Sequence, residues 1–186
     1  MNYIQYIEES KTWTCPKSGV WKVICVGGGG AGFTYRDNDK NDNSIGTAGG
    51  TTSFGSILSA PGGMSGVDIN KNKAQFFESN YDIRYTVGIN GYNGAGVYGA
   101  ESGEYIGSGY GASGGAGAPN GSSYSHNSGL PGDVKSVITD ISEGTSIACT
   151  IGAGGTVATI GTNHPNTIAF PGKSGAIIVQ YLGSEM

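Results

Sequence analysis

Charge is scarce in this chain. Asp, Glu, Lys and Arg make up 13% of its 186 residues, about half the usual ~25%. The formal net charge is −4 and no run of Lys and Arg builds a basic patch, so no nucleic-acid partner is expected. Long apolar runs are also missing. No stretch approaches the ~18–20 residues that a membrane-spanning helix needs, so no membrane insertion is expected. The opening MNYIQYIEES has neither a basic start nor an apolar core, so no secretory signal is expected. Six prolines are too few for collagen. Three cysteines, Cys15, Cys25 and Cys149, form an odd set with no C-x-x-C pair. That spacing predicts neither a disulfide framework nor a zinc site, but free thiols packed as small buried residues. Helical periodicity is absent too: the nearest approach, NKNKAQFFESNY at 70–81, is short and uncapped.

Glycine is abundant, with 36 residues, roughly one in five against a usual ~7%. Eleven Tyr, two Trp and five Phe accompany it, more apolar side chain than an unfolded tail carries. The apolar runs read as strands. In VWKVICV (20–26), Trp21, Val23 and Cys25 share one face and Val20, Ile24 and Val26 the other, the pattern of a strand covered on both sides. IRYTV (83–87), SIACTI (146–151) and AIIVQY (176–181) follow, with weaker strands over 3–7, 51–59 and 135–141. Pro-Gly and Ser-Gly turns separate them. The fold class is all-β: a β-sandwich-like pair of antiparallel sheets in a single domain over 1–186, with long glycine-rich loops. In the largest loop, 88–129, Gly88, Gly91 and Gly94, then Gly111, Gly114 and Gly117, are spaced by three. A polyglycine-II-like segment has three residues per turn, so such glycines line one edge and let two backbones approach.

Several motifs promise chemistry and fail on context. VICVGGGGAG (23–32) fits G-x-G-x-x-G through Gly27, Gly29 and Gly32, but a dinucleotide site needs a helix directly afterwards. Here FTYRDNDKNDNSIGTAGG follows, polar and without period. These glycines are therefore expected to serve architecture. TIAFPGKS ends like a phosphate loop at Lys173-Ser174, but Thr167 stands where its first glycine belongs. GASGG (111–115) fits G-x-S-x-G, with Ser113 as nucleophile and His126, His164, Asp133 and Asp140 downstream. A nucleophile elbow needs a strand before it and a helix after it, and neither is readable. In DNDKND (37–42), Asp37, Asp39 and Asn41 alternate as in a calcium loop, yet Asp42 replaces its glycine and Ala48 its closing Glu. No cofactor is expected, and no catalytic set emerges.

One feature points to binding. Between 92 and 124, Tyr92, Tyr98, Tyr105, Tyr110 and Tyr124 recur among Gly, Ser and Asn. Tyr offers broad contact at low entropic cost, while small residues let a ligand approach. Tyr98, Tyr105, Tyr110 and Tyr124, with Glu101 and Asn120 as polar partners, are the candidate ligand-binding residues. The same rings could instead pack on the domain's own glycine edges or on another subunit.

The order of blocks carries a resemblance. WTCPKSGVWKVICVGGGGAG, AGGTTSFGSILSAPGGMSG, VITDISEGTSIACTIGAGG and GKSGAIIVQY follow one another across nearly the whole chain. Together they resemble the glycine-rich domain of bacteriophage tail-fibre and adhesin-type, receptor-binding proteins. Residues 67–85 depart from that pattern. The resemblance implies a non-catalytic component of a phage tail or tail-like particle that recognises the host surface. It would be made in the host cytoplasm and act extracellularly on the virion. Its partners would be a bacterial cell-surface glycan or surface protein and other tail or fibre proteins, and the tips of such fibres are commonly homotrimers. Two other classes stand beside it. One is a structural tail-tip protein whose glycine surface is an assembly contact. The other is a cell-wall glycan hydrolase, for which Glu101 and Glu104 form the one close carboxylate pair in the glycine-rich loop.

Overall fold

A computed structural model describes residues 3–36, 43–65, 110–114, 116–117, 124–127, 129–160 and 168–184. In chain order the strands are β1 (Ile4–Ile7), β2 (Lys11–Thr14), β3 (Gly19–Val26), β4 (Phe33–Arg36), β5 (Asn43–Gly46), β6 (Thr52–Phe54), β7 (Leu58–Ala60), β8 (Ala116–Gly117), β9 (Tyr124–Asn127), β10 (Val134–Ile141), β11 (Ser146–Thr150), β12 (Val157–Ile160), β13 (Ile168–Ala169) and β14 (Ala176–Gly183). No helix occurs among the described residues, and every strand pairing is antiparallel.

The first sheet has the order β1-β14-β3-β10 and the second β2-β11-β6-β7. They face each other across one core. The alternation read in VWKVICV is the alternation found: Trp21, Val23 and Cys25 are buried at 1%, 0% and 0% exposure, and the residues between them are only partly covered. From the second sheet Trp13, Phe54, Ile147 and Cys149 enter the same core, joined by Ile7, Ile177 and Val179 from the first. Trp13 meets Trp21 edge-on, with ring centres 5.3 Å apart, and Phe54 at 5.4 Å. Both indole N–H groups are satisfied: Trp21 Nε1 donates to the Lys17 carbonyl at 3.2 Å and Trp13 Nε1 to Gln5 Oε1 at 3.1 Å. Buried rings of this size dominate a core's energetics, and their polar edges need such partners. The three cysteines are free and buried, as their spacing predicts.

The sequence reading of 51–59 needs correction. It is a hairpin, β6 and β7, because Gly55 takes a left-handed φ of +52° at the turn. The polar stretch after the glycines also differs from expectation, since β4 and β5 form there. The expected strand at 83–87 lies outside the described residues.

Between the two sheets and the remaining strands stands a bundle of seven glycine-rich segments. Residues 27–32 lie at its centre. Their six N–H groups radiate in turn to three neighbours: Gly27 and Gly30 to Asp133 and Leu130, Gly28 and Ala31 to Gly50 and Thr47, Gly29 and Gly32 to Lys173 and Phe170, all at 2.8–3.0 Å. Gly63, Gly155 and Gly114 return bonds to the carbonyls of Gly28, Gly29 and Gly30. The same partner recurs at every third residue, the period of a polyproline-II-type chain. The six outer segments also bond round a closed ring, in the order 47–50, 61–65, 129–133, 111–114, 170–175 and 152–156. Gly111 and Gly114 illustrate the predicted spacing, for their carbonyls accept from Gly132 and Gly129.

This geometry decides where glycine is compulsory and where proline fits. A methyl group on Gly29 or Gly30 would lie 1.9 Å from the carbonyl oxygen of Ala112 or Met64. In segment 170–175, residues 172 and 175 donate to one neighbour and 173 to another. The remaining direction, at residue 171, faces away from both, and residue 171 is proline, which has no N–H to satisfy. Segment 129–133 repeats the device with Pro131: residues 130 and 133 donate to one side, 129 and 132 to the other.

Segments 27–32, 61–65, 111–114 and 152–156 run away from the two sheets, and 47–50, 129–133 and 170–175 run back towards them. At ~3.1 Å per residue the central segment carries the chain roughly 19 Å from the core. Strands β4, β5, β8, β9, β12 and β13, which these segments adjoin, therefore lie together at one far end. There they form a third sheet, β12-β5-β4-β9, and the short ribbon β13-β8.

Candidate functional site

Every N–H of 27–32 is committed to a backbone carbonyl. A phosphate cradle works by pointing free N–H groups at the anion; these have none left to offer. The stretch ending in Lys173-Ser174 is committed in the same way. The Lys173 N–H donates to Ala112 and its carbonyl accepts from Gly29, each within 2.9 Å. Ser113, the would-be nucleophile, is 0% exposed inside the bundle, whereas an elbow serine must stand open to its substrate. His126 lies in β9, opposite Thr34, and Asp140 is an exposed residue of β10. His164 is outside the described residues.

Tyr110 is the one candidate tyrosine whose side chain is described. It stands at the sheet end of the bundle, just before Gly111, whose φ of +68° turns the chain against Gly27. Its hydroxyl donates to Glu8 Oε1, and its ring lies 6.5 Å from that of Tyr6 at a 34° tilt. The hydrogen bond to the Glu8 carboxylate, then desolvation, then the charges of Glu8 and Tyr6 hold the phenol protonated, pushing its pKa up to about 12. Tyr110 is thus tied to the domain's own β1, which is the packing alternative for this ring.

Tyr124 is at the opposite end of the bundle. It opens β9, paired with Arg36 of β4. The structure does not bring Tyr110 and Tyr124 together: one marks the sheet end, the other the far-end sheet. Tyr98, Glu101, Glu104, Tyr105 and Asn120 lie outside the described residues. So do Asp37, Asp39 and Asn41, between β4 and β5. Among the described residues no group of three His, Cys, Asp or Glu could hold a metal ion.

The bundle is the feature that sequence reasoning only half found. Glycine spacing signalled close backbone approach, but the bundle depends on pairings between residues more than a hundred positions apart, such as Gly29 with Gly155 and Gly32 with Phe170. No helix among the described residues is long and apolar enough to cross a membrane. No family model, curated protein or solved structure matches the chain.

Proposed function

We propose that this protein is a non-catalytic receptor-binding component of a phage tail or tail-like particle, and that it recognises a glycan or protein on the bacterial surface. Two things support the reading. The first is the order of four sequence blocks that resembles the tail-fibre adhesin domain. The second, which carries it, is the gathering of β4, β5, β8, β9, β12 and β13 at the far end of the bundle. Three strand pairs, β4 with β5, β8 with β9 and β12 with β13, placed side by side on a hydrogen-bonded stem make a presenting surface, while the stem and sheets hold position. In this reading the two sheets form a β-sandwich base, and the glycine segments are polyglycine-II-like struts. Recognition belongs to the far end, with Tyr124 opening β9 and Asn120 between β8 and β9 in sequence. Tyr98, Glu101 and Tyr105 remain proposed contacts in the loop that precedes Tyr110.

The test is binding of fluorescently labelled protein to whole bacterial cells of varied strains, before and after exchange of residues 118–123. Saturable binding to some strains, lost on exchange with an unchanged melting temperature, supports recognition. Unchanged binding moves the contact elsewhere; no saturable binding to any strain leaves the structural tail-tip reading in its place.

A further inference from the structure

The register of the far-end sheet gathers polar residues on one face. Thr159 stands opposite Ser44, Ser44 opposite Thr34 and Thr34 opposite His126, a single row across β12, β5, β4 and β9. Directly opposed residues in antiparallel strands share a face, and so do residues two apart along a strand. Arg36, opposite Tyr124, therefore belongs to the same face as Thr34 and His126. The other face carries Phe33, Tyr35, Ile45, Ala158 and Ile160. This is the alternation of an antiparallel sheet with one face on an apolar layer and one turned to water. The ribbon β13-β8, which brings Ile168, Ala169 and Ala116, lies beside β4, β5 and β9.

A face that merely meets water carries Lys, Glu or Asp. The strands of the first two sheets do so, with Lys11, Lys22, Lys135 and Asp140. The six far-end strands contain none of these types, and Arg36 is their one formal charge. Depletion of Lys, Glu and Asp beside Arg and Tyr is the composition of a contact surface. Thr34, Ser44 and Thr159 each bring a hydroxyl that donates and accepts, at steps of the about 4.8 Å between neighbouring strands. Sugar hydroxyls have the same double character. Arg offers a planar fork of donors that spans two adjacent oxygens, and Tyr a ring that suits the C–H side of a pyranose. Asp37, Asp39 and Asp42 adjoin β4 and β5 in sequence; their negative charge disfavours an anionic ligand.

We propose that this face of the far-end sheet binds a neutral glycan of the bacterial surface, with the row Thr159, Ser44, Thr34 and His126 matched to sugar hydroxyls and the Arg36–Tyr124 pair taking one ring beside it. The proposal rests on the receptor-binding reading above and narrows its partner from a glycan or protein to a neutral glycan. Strands on a hydrogen-bonded stem keep such a row at fixed spacing more precisely than loops do.

The test uses the labelled full chain on a strain that it binds. Cells are treated with periodate, which cleaves vicinal diols, or with protease, and polysaccharide extracted from the same strain serves as competitor. Periodate and the polysaccharide should each abolish binding, and protease should not. Binding should also hold between ~0.1 and ~1 M salt, where charge attraction is screened. Arg36→Ala should weaken it about tenfold or more. Thr34→Val, which keeps the shape and removes one hydroxyl, should weaken it roughly three- to tenfold. Tyr35→Phe, on the other face, should leave it unchanged, and each variant should keep the wild-type melting temperature. If Arg36→Ala melts lower, Thr34→Val decides. Binding that protease or salt abolishes, or that Thr34→Val leaves at wild-type strength, overturns the proposal while the receptor-binding reading stands. No saturable binding to any strain overturns both.

Discussion

Gly29 faces the backbone carbonyl of Ala112 so closely that a methyl group would lie 1.9 Å from its oxygen. Neither side can yield, because the Ala112 carbonyl accepts from Lys173 and Gly29 donates to that same residue's carbonyl. Gly29→Ala is expected to destabilise by at least ~3 kcal/mol, the upper part of the range for overpacking. Gly144 offers the contrast. Its φ is +80° but nothing lies within 4 Å of an added methyl, so Gly144→Ala carries only the left-handed strain of roughly 1–2 kcal/mol. Denaturant unfolding of both variants measures the difference.

Thr52 and Gly152 test the join between bundle and sheet. The buried Thr52 Oγ1 accepts the Gly152 N–H at 2.9 Å. Thr52→Val keeps the shape and removes the acceptor, leaving a buried N–H without its partner. A loss of ~1–3 kcal/mol is expected, read as a lower denaturant midpoint at unchanged slope.

The two sheets and the bundle were legible to different degrees. Trp21, Val23 and Cys25 announce their strand because burial on one face demands apolar residues at every second position. Phe33–Arg36 and Tyr124–Asn127 announce nothing: FTYR and YSHN become β4 and β9 through pairing with one another and with β5, a tertiary effect that outweighs local preference. Glycines at 27–32 show that backbones approach, yet not which ones. That choice is made by hydrogen bonds to residues as distant as Lys173. Tyr110 was readable as a contact residue, but its partner Glu8 is a hundred residues away.

Cys25 makes stability depend on alkaline pH. Burial, then the nearby Cys149 thiol, pushes its pKa up from 9.0 to about 12, against a smaller opposing effect of a backbone hydrogen bond from Phe54. The unfolded thiol ionises near the lower value and the folded one near the higher. Between them the folded state holds the extra proton, so stability is complete below pH 9.0 and falls as pH rises towards about 12. One proton gives a slope of at most ~1.4 kcal/mol per pH unit. Unfolding curves across this range should show that decline, and Cys25→Ala should flatten it.

Tyr110 and Glu8 give a spectroscopic check. Ultraviolet absorbance should report one phenol ionising near about 12. Glu8→Gln removes the carboxylate acceptor and its charge, so that phenol should ionise at lower pH. An unchanged titration would mean that Tyr110 is not held by Glu8.

Recognition at the far end of a rigid glycine bundle is the central claim, and binding of labelled protein to intact bacterial cells addresses it most directly. Exchanging 118–123 should abolish saturable binding, while Tyr110→Phe, at the sheet end, should leave it intact; both variants should keep the wild-type melting temperature. Binding that survives the exchange, or that Tyr110→Phe removes instead, would contradict the account.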